Sequence, residues 1–152
     1  MKIGIDFDNT IVINEWPEIG QALPGAIETL KELQEKGHEL ILYTQRTDQY
    51  SIYGKELEDY SKKHGGFLGT VNLLSPAVSF LEDNGIILSS INSNPEWELE
   101  MNDRGRKVFF DLLIDDHCAG IKYKIMRNST NKLCKTIDWG WMRDWLKENK
   151  IL

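Results

Sequence analysis

The chain has 152 residues, of which 41% are hydrophobic and 28% charged, and its formal net charge is -6 at pH 7. This length suits one domain that buries a complete sheet and its helices, so we expect a single domain over residues 1–152. The acidic balance argues against a partner of duplex nucleic acid, because such proteins need a basic surface to neutralise phosphates. A small anionic ligand would have to be held by local cations.

The sequence indicates neither secretion nor membrane insertion. No signal-like apolar core follows Lys2, and no apolar run is long enough to span a bilayer, so we expect a cytoplasmic protein with no membrane partner. Cys118 and Cys134 have neither CxxC spacing nor a disulfide-dense pattern, which predicts free thiols. Zinc binding by His117 and the two cysteines is disfavoured because a fourth ligand and the usual spacing are missing.

Acidic residues end the first predicted strand. The apolar run 3–5 stops in Asp6-Phe7-Asp8-Asn9-Thr10, which is typical of a buried strand that runs into a turn at the edge of a sheet. Asp6 and Asp8 would share one face of a regular strand, where two like charges repel unless a cation or a shared proton relieves them. Open α/β sheets bind ligands at this edge. We therefore predict a divalent metal site, with a solvated acidic turn as the alternative.

The next segments predict a parallel βαβ unit. Residues 11–23 are too irregular for a helix and are predicted to form a compact flap beside the strand end. Residues 24–36 place apolar side chains at helical spacing, with a proline in the first turn and a glycine after the last. Residues 39–43 are a short apolar run and predict the second strand, which delivers Thr44 to the same edge as Asp6.

Five further segments carry the chain to a second acidic pair. Residues 47–70 are polar with a weak helical stretch and are predicted to be an excursion, which is the candidate for a partial lid over the active edge. The others are predicted, in chain order, as a helix (72–84), a third strand (86–91), a long loop (93–106) and a central fourth strand (108–114). The fourth strand ends in Asp115-Asp116. A second pair of carboxylates therefore arrives at the end of a central strand.

The last segment predicts a hairpin and a closing helix. Residues 121–137 contain two short β runs around the polar turn 128–131. Asp138 is the predicted N-cap of a helix that continues to Asn149. Its predicted buried stripe consists of Trp141, Met142, Trp145 and Leu146. The whole pattern predicts an α/β fold: a three-layer, Rossmann-like parallel sheet with helices on both faces, a minimal cap and a C-terminal β-hairpin insertion.

Six side chains are predicted to meet at the carboxyl edge of this sheet: Asp6, Asp8, Thr44, Lys107, Asp115 and Asp116. Acids, a hydroxyl and an ammonium together suit phosphoryl transfer. Carboxylate oxygens hold Mg²⁺, and the metal and a lysine would offset the charge of a carboxylate nucleophile beside a phosphate. Arg104 and Arg106 are basic alternatives to Lys107.

The order of these residues resembles the four-motif signature of the haloacid dehalogenase-like (HAD) hydrolases. Asp-x-Asp-x-Thr follows the first strand, Thr44 follows the second, Lys107 precedes the fourth, and two aspartates end it. Residues 111–116 (DLLIDD) are similar to the last motif of the 5'(3')-deoxyribonucleotidases and of small, cap-poor bacterial phosphatases in that superfamily. The resemblance covers most of residues 1–120, without the excursion at 47–70, and also the approach to the last helix.

The resemblance implies a role for each matching residue. Asp6 would attack phosphorus to form an aspartyl-phosphate, and Asp8 would protonate the leaving oxygen and then activate water. Asp6, the backbone carbonyl of Asp8 and one of the final pair would bind Mg²⁺; Asp116 is favoured as the direct ligand, and Asp115 as the partner of Lys107. The residues expected to contact the substrate are Asn9, Thr10, Thr44, Gln45 and Arg46.

One of these positions departs from the family pattern, and three residues leave alternatives open. Asn9 stands where relatives often carry glycine, and we expect the turn to survive because asparagine tolerates left-handed backbone. Arg46 contacts the substrate phosphate or is a surface arginine. Trp16 and Trp97 stack on a nucleobase or cover apolar surface.

The predicted function is Mg²⁺-dependent hydrolysis of a phosphomonoester through an aspartyl-phosphate, on a small phosphorylated metabolite with nucleotides among the candidates. A receiver-like phosphoacceptor domain is one alternative, but its acidic pair follows the first strand and its lysine the last. A catalytically silent binding domain is the other, although unneeded carboxylates at one edge would be destabilising without a metal. The sequence does not indicate an oligomeric state.

Overall fold

A computed structural model of the chain describes residues 1–51, 62–63, 70–101 and 107–152. In chain order, its elements are β1 (Lys2–Ile5), α1 (Ala26–Glu35), β2 (Glu39–Leu42), β3 (Tyr50–Ser51), β4 (Thr70–Val71), α2 (Leu74–Asp83), β5 (Leu88–Ile91), α3 (Pro95–Met101), β6 (Leu112–Ile114), β7 (Tyr123–Arg127), β8 (Leu133–Ile137) and α4 (Trp139–Glu148). The predicted excursion 47–70 therefore lies partly outside the described residues.

A four-stranded parallel sheet in the order β5-β2-β1-β6, flanked by helices, forms the centre of the molecule. In the register, Ile5 pairs with Leu42 on one side and with Ile114 on the other. The residues that follow β1, β2 and β6 therefore leave the sheet at the same edge. This mixed α/β arrangement is consistent with the predicted Rossmann-like fold.

The main hydrophobic core lies against one face of the sheet. Alternate residues of the central strands are buried there, including Ile3, Ile5 and Leu42, and they join one cluster with apolar residues of α1, α2 and α4. Burial of each such side chain contributes about 1.5–3 kcal/mol. The residues just beyond β1 are therefore anchored to a well-packed strand.

Gly4 occupies the opposite face of β1, where the ring of Phe110 lies directly on the backbone. A Cβ atom at this position would be 2.5 Å from that ring, so the close approach requires glycine. Phe110 also packs edge-on against Tyr43, with 5.0 Å between the ring centroids. Aromatic packing on this face therefore fixes the chain just before β6.

Most predicted elements are present, with shorter bounds than the sequence indicated. The prediction of a loop throughout 93–106 was wrong, since α3 begins at Pro95. The carbonyl of Asn94 accepts hydrogen bonds from the amides of Trp97 and Glu98, and a proline at the first helical position suits a helix start. The predicted fourth strand is also shorter, because only Leu112–Ile114 pairs with β1 as a strand.

Two further structures lie beside the acidic edge, which is the carboxyl edge of the sheet where Asp6, Asp115 and Asp116 follow their strands. Residues 11–23 form the flap, in which the amide of Ile13 donates to the carbonyl of Gln21 at 2.9 Å. Strands β7 and β8 pair antiparallel as a separate hairpin. That this hairpin is an insertion stays a prediction. Glu15 of the flap accepts hydrogen bonds from Ser129 of the hairpin turn, which joins the two structures.

Helix α4 starts as predicted at an aspartate cap. The Asp138 carboxylate accepts hydrogen bonds from the amides of Gly140 and Trp141 at 3.0 and 3.3 Å. The buried stripe differs from the prediction, because Trp139, Met142 and Leu146 are its buried members. Among the described residues, no helix combines the length and apolarity needed to cross a bilayer.

Candidate functional site

The loop after β1 brings Asp6 next to the loop after β6. The hydroxyl of Thr10 donates to Oδ2 of Asp6 at 2.9 Å and accepts from the backbone amide of Asp116 at 3.0 Å. Thr10 is completely buried, and its carbonyl accepts a 2.6 Å hydrogen bond from the indole of Trp139. One threonine side chain therefore bridges the two acidic loops, which leave the sheet side by side because β1 and β6 are paired.

Asn9 makes the turn that allows this bridge. Its φ of 60° lies in the left-handed region, which confirms that asparagine serves where glycine would be the easier residue. Its amide donates to the carbonyl of Val12 at 2.7 Å, and its side chain accepts from the amide of Asn14 at 3.2 Å. Asn9 thus connects the acidic loop to the flap.

Asp6 has an unusual protonation equilibrium. Burial raises the pKa of its carboxyl to about 7, and the negative charges of Asp115 and Asp116 add to the rise, while hydrogen bonds from Phe7 and Thr10 oppose it. A cation at this edge would relieve the same repulsion. Burial is thus the main cause of the shift, and the two neighbouring carboxylates add to it.

Asp115, Asp116 and His117 form a compact set of possible metal ligands after β6. One ligand atom from each lies within 4.8 Å of the others, and His117 Nδ1 is 2.7 Å from Oδ1 of Asp116. Burial raises the pKa of Asp116, and the Asp116 carboxylate in turn raises the pKa of the exposed His117. Oxygen donors dominate this set once Asp6 is included, and such a set fits a hard divalent cation such as Mg²⁺.

Asp8 and Arg46 form a bidentate ion pair. Nε and Nη2 of Arg46 donate to the two carboxylate oxygens of Asp8 at 2.8 and 2.7 Å. Only 2% of Arg46 is exposed. Arg46 is thus not a surface arginine. Its guanidinium binds Asp8 inside the protein and does not face the cleft as a free phosphate ligand.

Thr44 follows β2 at the predicted edge, and Asn92 holds its backbone. The side chain of Asn92 accepts from the Thr44 amide and donates to the Thr44 carbonyl, both at 2.9 Å. The Thr44 hydroxyl accepts a 3.2 Å hydrogen bond from the amide of Arg46, which leaves its proton for another acceptor. Gln45 is exposed beside it.

Lys107 is a predicted site residue without an observed ion pair to the acids in the described ranges. It is exposed, and it forms no ion pair with any carboxylate in the described ranges. Its alternatives Arg104 and Arg106 lie outside those ranges. The role of Lys107 stays a prediction. Cys118 and Cys134 are free thiols, as predicted.

A cleft of about 910 Å³ opens between the flap and the hairpin and reaches the acidic edge. It is lined by residues of both walls and of the acidic loops, namely Asn9, 14–18, Lys63, Asp116, His117, 128–130 and 132–135. Three lysines contribute to the lining, and Lys63 is paired with Glu18 at 3.5 Å. Lys132 and Lys135 are exposed, so this side of the cleft offers cations to an anionic ligand.

Several contacts at the site were not anticipated from the sequence. Asn92 was missed, although it directly follows β5 and the rule that located Thr44 applies to it equally. The pairing of Asp8 with Arg46 was missed because the two residues are separated by 38 positions. No local pattern reports such a contact. The cleft wall at 128–135 was missed because the hairpin turn carries no motif.

Comparisons with known proteins supply a relative for the whole chain. No protein-family model matches the sequence, and no curated protein matches it. A solved structure, described as a conserved protein from Bacteroides thetaiotaomicron, is 31% identical with a TM-score of 0.63, over 98% of this chain and 91% of that chain. This identity over nearly the full length of both proteins shows common descent. The chain therefore belongs to the same family as this conserved Bacteroides thetaiotaomicron protein.

Proposed function

We propose that the protein is a Mg²⁺-dependent phosphomonoester hydrolase that acts through an aspartyl-phosphate on a small phosphorylated metabolite. The observation that carries the proposal is the meeting of Asp6 with the Asp115-Asp116 loop, joined by the Thr10 hydroxyl. The HAD resemblance of the sequence supports the same assignment. The proposal also covers the details of the predicted architecture, namely three layers, a minimal cap and an inserted hairpin. It also includes a cytoplasmic location.

Asp6, Asp116 and the backbone carbonyl of Asp8 would hold the Mg²⁺ ion. Burial is the main cause of the raised pKa of Asp6, and the charges of Asp115 and Asp116 add to it. This added repulsion supports the set, because a divalent cation removes it. When bound, Mg²⁺ neutralises charge and polarises phosphate oxygens. Asp115 lies beside the ligands, with its side chain accepting a 2.7 Å hydrogen bond from the amide of His117.

The chain's own residues perform the two displacements. An oxygen of Asp6 attacks phosphorus and the bond from phosphorus to the leaving oxygen breaks. Asp8 enters this step protonated and gives its proton to the leaving oxygen, which produces the carboxylate that Arg46 binds. Asp8 then removes a proton from water, whose oxygen attacks phosphorus and releases inorganic phosphate and free Asp6. Thr44 donates its hydroxyl proton to a phosphate oxygen. Lys107 remains our candidate for the cation that balances the charge of Asp6 and phosphate.

The cleft between flap and hairpin supports a small substrate. About 910 Å³ accommodates a nucleotide or a sugar phosphate, and an open cleft also admits the phosphorylated end of a polymer. Trp16 lines the cleft, and the exposed Lys132 attracts anionic groups. Asn9 and Thr10 lie on the acidic loop, and Gln45 lies at the exposed edge beyond β2.

Phosphate release tests the proposal. Wild type is assayed with an aryl phosphate and with panels of nucleotides and sugar phosphates, in Mg²⁺ and in EDTA. We expect turnover that requires Mg²⁺ and that falls at least about 100-fold in Asp6→Asn, since the nucleophile is lost. The ranking of substrates identifies the class that fits the cleft.

The matched control is Asp144→Asn, which makes the same chemical change on the exposed face of α4. It should retain wild-type turnover. Mg²⁺-independent turnover, or equal loss in both variants, would contradict the proposal. A single phosphorylation of Asp6 without steady phosphate release would favour the receiver-like phosphoacceptor.

A further inference from the structure

Arg46 uses every hydrogen-bond donor of its guanidinium inside the protein. Nε and one Nη2 proton go to the carboxylate of Asp8. The other Nη2 proton goes to the carbonyl of Glu18 at 2.9 Å, and Nη1 donates to the carbonyls of Pro17 and Leu73 at 3.1 and 3.4 Å. Arginine has five N–H groups, so none is left for a ligand.

Two aromatic rings pack against the same guanidinium. Its central carbon lies 5.1 Å from the ring centroid of Phe7 and 5.3 Å from that of Trp16. Phe7 belongs to the acidic loop between Asp6 and Asp8, whereas Trp16 belongs to the flap. Arg46 therefore contacts both the loop that carries the proposed catalytic acids and the wall that lines the cleft.

The arrangement is costly if its purpose is stability alone. Removing an arginine and a carboxylate from water carries a desolvation penalty that the ion pair and its hydrogen bonds mainly offset, and an apolar pair could fill the same space. The pair does, however, fix geometry: a bidentate fork sets the orientation of the carboxylate. Fixed orientation matters for Asp8, because a proton donor acts only within hydrogen-bond reach of the leaving oxygen.

We propose that Arg46 is a positioning residue that joins the Asp8 carboxylate to the flap backbone, so that the orientation of the acid and the position of the cleft wall depend on one guanidinium. The proposal rests on the proposed function, in which Asp8 transfers the protons. The carbonyls of Pro17 and Glu18 belong to cleft-lining residues, so a displaced flap would also displace Asp8.

Leaving-group dependence gives a readout that a merely structural role would not change. Alkyl phosphates need a proton on the leaving oxygen, whereas 2,4-dinitrophenyl phosphate does not, because dinitrophenolate is a stable anion. We expect Arg46→Lys to lower kcat/KM by about 10- to 100-fold for an alkyl phosphate and by less than about threefold for the dinitrophenyl ester. Asp8→Asn should show the same contrast, and the double variant should lose no more than Asp8→Asn alone.

The matched control is Arg143→Lys, which alters a second arginine–carboxylate pair of the described residues, the 2.5 Å contact with Glu32 between α4 and α1. It should leave the ratio of the two kcat/KM values unchanged. Equal loss of both substrates in Arg46→Lys would overturn the positioning role. Absence of turnover in wild type would instead refute the proposed function and, with it, the catalytic part of this proposal.

Hydrogen exchange of the flap amides tests whether Arg46 couples Asp8 to the flap. This measurement needs neither enzyme activity nor a variant at Arg46. We expect Asp8→Asn to accelerate exchange of the Ile13 and Glu18 amides by roughly tenfold, because the guanidinium that holds the flap loses its anionic partner. Asp6→Asn is the control, since Asp6 does not contact Arg46 within the described residues, and its flap amides should exchange as in wild type. Unchanged flap exchange in Asp8→Asn would overturn the coupling.

Discussion

Asp6 is the residue whose surroundings change its chemistry most. Its pKa is raised to about 7 in the native state, chiefly by burial, whereas an aspartate in the unfolded chain ionises near about 4. Between these two values the native protein binds one proton more than the unfolded chain. The contribution of Asp6 to stability is therefore complete below about pH 4 and is lost as the pH rises to about 7.

Comparing unfolding free energies of wild type and Asp6→Asn tests this shift. In EDTA, we expect the stability of the variant relative to wild type to grow by up to about 1.4 kcal/mol per pH unit across this window and to level off above it. Urea unfolding at several pH values measures the difference, and the other titrating groups largely cancel between the two proteins. Parallel pH profiles would show that Asp6 ionises like an exposed aspartate.

The residues of the site differ in how far the sequence could predict them. Asp6, Thr44 and Asp115-Asp116 were predictable, because each follows an apolar strand and parallel strands end at one edge. Arg46 was not, since its contacts reach the acidic loop and the flap through three-dimensional packing. The sequence pattern reports strand ends and periodicity, but not which distant side chain fills a buried space.

At the level of elements, the start of α4 depends on one side chain. Asp138 caps the helix and also accepts a 2.9 Å hydrogen bond from the ammonium of Lys124, which holds the pKa of Asp138 below its usual range. We expect Asp138→Ala to lower the unfolding free energy by about 1 kcal/mol. Asp138→Asn should lose much less, because asparagine also caps and exposed ion pairs contribute little. Equal losses in urea titrations would assign the effect to the ion pair instead.

The elements that sequence periodicity predicted best are those that pack on the sheet. Helices α1, α2 and α4 each carry an apolar stripe, and the strands β1 and β2 are short apolar runs. Helix α3 has no clear stripe: Trp97 and Leu99 are both exposed, and its start is instead supported by local hydrogen bonds to Asn94. Periodicity therefore could not reveal it.

At the scale of the whole molecule, the sheet has one role, and the flap and the hairpin have another. The parallel sheet brings the acidic loops together, and the flap and hairpin turn enclose the cleft that leads to them. The sheet followed from alternating strands and helices in the sequence. The cleft depends on how the hairpin packs on the flap, including the contact of Glu15 with Ser129, and no sequence pattern contains that information.

The measurement that tests the central claim most directly is the identification of the phosphorylated residue during turnover. Wild type is mixed with an aryl phosphate and Mg²⁺, quenched in acid within one turnover, reduced with borohydride and analysed by peptide mass spectrometry. We expect Asp6 to be converted to homoserine, the product of reducing an aspartyl-phosphate, and to remain aspartate when EDTA replaces Mg²⁺. Phosphate release with unmodified Asp6, or modification at another carboxylate, would contradict Asp6 as the nucleophile.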